Sequence, residues 1–202
     1  VCGVNEQEFG KQNIVSNSSC TTNAFAPLLK FLNYNFGIIS GNMLTVHCYT
    51  GSQPTIDKPG RDPARSRAAG LSMVPTTTSA ALEVTSLLPE LADKVLVSAL
   101  RVPVPSVSAI DFSFRTDKPF SSAALVKLLN EHPALNPIIG CTDKPLVSSD
   151  LKGRPESIII SLLETTGSDI GMNRVCGWYD KEWGFSNRML DMCEQIEKTS
   201  LR

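Results

Sequence analysis

Val95-Leu-Val-Ser-Ala-Leu-Arg-Val102, then Pro103-Val-Pro105-Ser106, then Val107-Ser-Ala-Ile-Asp-Phe-Ser-Phe114 is the stretch that decides the fold class. Two runs of β-branched and apolar residues, separated only by a proline-marked turn, read as consecutive strands with no helix between them. Residues 157–163 and 174–179 add further strands, and Met43–Tyr49 is another, ending near His47. Helical spacing occurs in four other places. Phe25, Leu28, Leu29 and Leu32 follow the helix-start residues Ser16–Ser19, with Pro27 expected near the first turn and Asn35-Phe36-Gly37 as the close. Residues 76–88 read as a helix behind a threonine cap, residues 121–130 as one capped by Ser121, and Phe185, Met189, Met192, Cys193 and Ile196 as a closing amphipathic helix. The expectation is an α+β fold: a mixed, largely antiparallel sheet with helices on one face.

Composition limits the function. With 202 residues, 42% of them hydrophobic, the chain can bury a substantial core. Lysines and arginines number 19 against 20 acids, so no overall field draws the chain to nucleic acid or an anionic membrane, and any affinity for phosphate must be local. No apolar run reaches the roughly 18 residues of a membrane span and the first residues lack a signal-peptide pattern, so the expected compartment is the cytoplasm. Cys2, Cys20, Cys48, Cys141, Cys176 and Cys193 form no C-x-x-C pair, and His47 and His132 are the only histidines; no metal site is expected.

Cys20 carries the most chemical information. A thiol at a helix N-terminus feels the positive end of the dipole, which favours the thiolate, although a buried structural cysteine is the plainer alternative. Its neighbours Ser18, Ser19, Thr21, Thr22 and Asn23 are costly to bury without partners. His47, at a strand end, is a candidate base for such a nucleophile or a satisfied core histidine. Arg101 lies among Leu100, Val102 and Val104 and must pair with an acid such as Asp111 or reach a pocket, where it could hold a phosphate. Residues 51–70, rich in Pro, Gly and Arg, read as a long functional loop carrying Arg65 and Arg67. Thr76-Thr77-Thr78 could bind an anion or simply cap a helix.

Ser16-Asn-Ser-Ser-Cys20-Thr-Thr-Asn23 closely resembles the active-site signature of the glyceraldehyde-3-phosphate dehydrogenases. Thr45-Val-His47-Cys-Tyr-Thr50, Arg65-Ser-Arg67, Val74-Pro-Thr-Thr-Thr78, Leu100-Arg101-Val-Pro and Trp178-Tyr-Asp180-Lys-Glu-Trp-Gly184 resemble further blocks of that family, in order. The resemblance implies Cys20 as nucleophile and His47 as its base. It implies Thr50 and Arg101 at the substrate's own phosphate, Ser19, Thr21, Thr78 and Ser79 at the attacking phosphate, and Arg65 near both. The implied reaction is the glycolytic oxidation of glyceraldehyde 3-phosphate through a cysteine thioester, with NAD as cofactor and NADP also compatible. A cytoplasmic homotetramer is implied as well.

The chain departs from the pattern in three places. It contains no G-x-G-x-x-G, Lys181 stands where the family has an asparagine holding the nicotinamide carboxamide, and Ser79 replaces a glycine. The implied division is a remnant of an N-terminal nucleotide-binding domain at 1–15, a catalytic domain at 16–180, and at 181–202 a helix that packs on the nucleotide-binding domain. Without that domain the isolated chain is expected to be inactive as a dehydrogenase. Erythrose-4-phosphate dehydrogenase, a non-enzymatic scaffold with a reactive cysteine, and a cysteine hydrolase are the competing readings.

Overall fold

In the computed structural model, residues 1–10, 12–168 and 171–200 are described. The strands are β1 (Ile38–Cys48), β2 (Val74–Thr76), β3 (Val95–Val102), β4 (Ser108–Thr116), β5 (Ile139–Thr142), β6 (Ile158–Thr166) and β7 (Asn173–Tyr179), and the helices are α1 (Cys20–Phe36), α2 (Ala80–Leu87), α3 (Ser122–Asn130) and α4 (Trp183–Ser200). The strands form one sheet in the order β2-β3-β1-β4-β7-β6-β5. Pairs β1/β3 and β5/β6 are parallel and the other neighbours antiparallel, so the expected mixed, largely antiparallel α+β sheet is present.

α1 is the central helix. Ser19 caps it by accepting a hydrogen bond from the Thr22 backbone N–H, and Gly37, at φ 69°, takes the positive φ that ends the helix. Pro27 lies well inside α1 rather than in its first turn. Its missing N–H leaves the Asn23 carbonyl without its helical donor. Phe25, Leu28, Leu29 and Leu32, all fully buried, face the sheet, where they meet Ile110, Phe112 and Phe114 of β4. The rings of Phe25 and Phe112 meet edge-on at 5.0 Å, and Phe112 stacks on Phe114 at 4.8 Å.

Gly41 of β1 leaves room for this aromatic cluster. A Cβ there would lie 2.5 Å from Phe112 Cε2 and 3.2 Å from Phe114 Cβ. Gly41→Ala should therefore cost about 1–3 kcal/mol, read as a lower urea midpoint, and Phe112→Leu should recover part of it.

Several boundaries differ from the sequence expectation. β1 begins at Ile38, five residues before the expected start at Met43, and β6 runs on to Thr166, past the expected end at 163. Residues 74–76 form an edge strand antiparallel to β3, and α2 begins only at Ala80, because Val74 and Thr76 pair with Arg101 and Ala99 before the chain turns. β5, four residues long, was not anticipated; it completes the sheet beside β6. At the chain's start Val1, Cys2 and Val4 are buried in the same core as α1. α4 packs against α1; its Met192 is buried, while Trp183, Met189 and Leu190 remain exposed.

Candidate active site

The site forms where the N-terminus of α1 meets the C-terminal end of β1. Cys20 is the first residue of the helix and His47 the penultimate residue of the strand, and their Sγ and Nε2 atoms lie 3.9 Å apart. The other ring nitrogen, Nδ1, is 2.6 Å from the Cys48 carbonyl. A carbonyl can only accept, so Nδ1 carries the proton and Nε2 presents its lone pair to the thiol.

Electrostatics hold both groups neutral at rest. Burial pushes the Cys20 thiol above its ordinary value, although hydrogen bonding at Thr21 and the Lys181 ammonium pull the other way. Burial likewise lowers His47, as do Arg101 and Lys181, while its bond to the Cys48 carbonyl opposes them. The helix dipole therefore does not by itself deliver a standing thiolate, contrary to the simplest reading of Cys20's position; the geometry instead supports proton transfer to His47 as the thiol reacts.

Below the thiol is a buried hydroxyl relay. The Tyr179 hydroxyl lies 2.8 Å from both Thr21 Oγ1 and Thr45 Oγ1, and its ring is edge-on to His47 at 6.1 Å. Burial holds the Tyr179 phenol well above its ordinary value, so it stays protonated. Thr21, expected at the attacking phosphate, is only 3% exposed and its hydroxyl meets Tyr179, so its side chain is turned inward as a brace for the first turn of α1. Tyr179 went unnoticed in the sequence because it is 158 positions from Thr21; only its place in the Trp178–Gly184 block hinted at it.

Arg101 reaches the same end of the sheet because β3 runs parallel to β1 and pairs Arg101 with His47. Its Nη1 donates to Ser52 Oγ at 2.8 Å and Gln53 Oε1 at 3.2 Å. The expected alternative partner, Asp111, is instead held bidentately by Arg174, at 2.9 and 2.8 Å. Among the described residues no carboxylate pairs with Arg101, and burial and Arg65 both push it below its ordinary value. Thr50 Oγ1 lies 2.9 Å from Ser52 Oγ, completing a cluster of donors. Gln53, also missed in the sequence, is buried, and its Nε2 has no partner among the described residues.

Arg65 comes from the long loop, donates to Thr77 Oγ1 at 2.7 Å and is tethered by Asp62. Thr78 Oγ1 accepts from the Ala80 N–H at 3.2 Å, and Ser79 precedes α2 without capping it through its side chain. Ser19 stands at the N-terminus of α1, where its backbone N–H and hydroxyl both meet Glu83, an acid that sequence reading did not single out. Lys181, half-buried, pairs with Glu182 and lies close enough to Cys20, Cys48 and His47 to influence all three. Among the described residues no group of His, Cys, Asp and Glu is arranged to hold a metal ion, and no helix is long and apolar enough to cross a membrane.

Comparison with known proteins matches residues 19–181 to the family model described as glyceraldehyde 3-phosphate dehydrogenase, C-terminal domain. Proteins named glyceraldehyde-3-phosphate dehydrogenase are similar over nearly the whole chain. The one from Xanthobacter flavus is 45% identical over 98% of this chain and 60% of its own length. Those from Haloarcula vallismortis and Borreliella burgdorferi are 42% and 41% identical, over 97% and 98% of this chain and 59% and 61% of their own lengths. The chain thus spans about 60% of the length of these curated relatives.

Proposed function

Because the chain belongs to the glyceraldehyde-3-phosphate dehydrogenase family, matching its C-terminal domain, we propose that it is the catalytic part of an enzyme that oxidises glyceraldehyde 3-phosphate in the presence of inorganic phosphate. The observation that carries this reading is the Cys20–His47 contact beside an arginine that has no carboxylate partner among the described residues. Cys20 Sγ adds to the aldehyde carbon while its proton passes to His47 Nε2, which hands it on to the carbonyl oxygen, giving a hemithioacetal and leaving Nε2 free again. His47 then takes the hydroxyl proton as the carbon gives up hydride and becomes a thioester. Phosphate oxygen forms the new C–O bond, the C–S bond breaks, and its electron pair returns to Cys20 Sγ.

A bound nicotinamide dinucleotide, which we assign as NAD, supplies the hydride acceptor. For that group this chain offers Lys181, whose ammonium can donate to a carboxamide oxygen; the sequence has no glycine-rich cradle for the pyrophosphate. Arg101 and Thr50 are assigned to the substrate phosphate, and Ser19, Thr78, Ser79 and Arg65 to the attacking one, with Thr21 bracing the helix beneath them. A cytoplasmic homo-oligomer, tetrameric as in the family, completes the reading.

Protection of Cys20 against iodoacetamide tests the assignment without a dinucleotide. Glyceraldehyde 3-phosphate should protect at concentrations about tenfold below those of unphosphorylated glyceraldehyde, and Arg101→Met should abolish that preference. Equal protection by the two aldehydes in the wild type would remove the substrate-phosphate site. Erythrose 4-phosphate in the same assay ranks the competing aldehyde.

A further inference from the structure

Glu83 lies in the first turn of α2, yet one of its carboxylate oxygens gathers the donors of the loop that leads into the nucleophile. Ser18 Oγ donates to it at 2.6 Å, the Ser19 backbone N–H at 3.2 Å and Ser19 Oγ at 2.9 Å, and the Thr22 hydroxyl also reaches it. Ser18 adopts the left-handed conformation, φ 61°, which a serine takes at some cost. Burial works against the Glu83 carboxylate, but donation from the hydroxyls of Ser18, Thr22, Ser19 and Ser79 outweighs it and holds the group below its ordinary value. Glu83 is thus an anion at neutral pH.

A hydroxyl has one proton to give. Ser19 Oγ already accepts from the Thr22 N–H at 3.2 Å and lies 2.7 Å from Thr22 Oγ1, so its proton is committed within this cluster. A phosphate oxygen arriving at Ser19 meets occupied donors and a negative charge one hydrogen bond away. We propose that Glu83 is a specificity-determining residue: its carboxylate is a resident anion at the amino end of α1 that holds the donors of residues 18–22 and weakens binding of the attacking phosphate. This rests on the assignment of Ser19, Thr78 and Arg65 to that phosphate. It follows that the thioester on Cys20 outlasts low phosphate and is resolved only when phosphate is abundant.

The test uses inorganic phosphate as the probe and iodoacetamide alkylation of Cys20 as the readout. Glu83→Gln keeps an acceptor for the loop while removing the charge, and should lower the half-protecting phosphate concentration about tenfold. Arg65→Met, placed in both backgrounds, should weaken protection in each. An unchanged half-protecting concentration in Glu83→Gln, with Arg65→Met still effective, overturns the role of Glu83 and leaves the phosphate site standing. Protection insensitive to Arg65→Met in both backgrounds overturns the site itself, and the proposal with it. Should Glu83→Gln fail to fold, Glu83→Ser carries the same expectation. Wild-type protection already half complete below about 1 mM phosphate also sinks the proposal.

Discussion

His47→Asn should slow alkylation of Cys20 at neutral pH by about a hundredfold, the lower end of what a positioned base contributes, with the circular dichroism spectrum unchanged. The thiol is held above its ordinary value of about 8.5, so little thiolate exists at pH 7 and reaction depends on His47 Nε2, 3.9 Å away, receiving the proton. Lowered by burial, His47 remains neutral and able to do so. As pH rises past the thiol's own titration the base becomes redundant, and the rates of wild type and variant should converge. A variant within twofold of wild type at pH 7 would mean that the 3.9 Å contact does not move the proton.

Phe112→Ala should destabilise the fold by about 3–5 kcal/mol in urea unfolding, a large share of a domain's total. Phe112 is completely buried, pairs in register with Met43 of β1 and Val175 of β7, and contacts the rings of Phe25 and Phe114. The Phe25 contact ties stability to chemistry, since Phe25 lies five residues after Cys20 on α1. A folded Phe112→Ala protein should therefore also show slower Cys20 alkylation. A loss below about 1 kcal/mol would show that the neighbouring rings collapse into the space.

The parts of this fold that were legible in the sequence are those with local causes. Ser19 and Gly37 bracket α1, Ser121 caps α3, and β3 was readable from end to end as a β-branched run. Local signals failed where a neighbour in space decides the outcome. Residues 74–76 are a strand because β3 offers them an edge, and Ile139–Thr142 is too short to announce itself without β6. The same holds in the site. Cys20, His47 and Arg101 stood out through residue type and context, whereas Tyr179 and Glu83 act through partners 158 and as many as 65 positions away. Asp111 was a reasonable partner for Arg101 until the antiparallel pairing of β4 with β7 brought Arg174 to it.

The His47 ring is oriented by the carbonyl of its own successor, Cys48, and not by an acid. A peptide dipole fixes the ring's direction about as well as a carboxylate, but it offers an imidazolium only a partial charge to lean on. Any proton that His47 picks up is thus loosely kept and readily surrendered to the next acceptor. Because the support is main chain, no side-chain substitution at Cys48 can delete it; the orientation of the base is inherited from the strand itself.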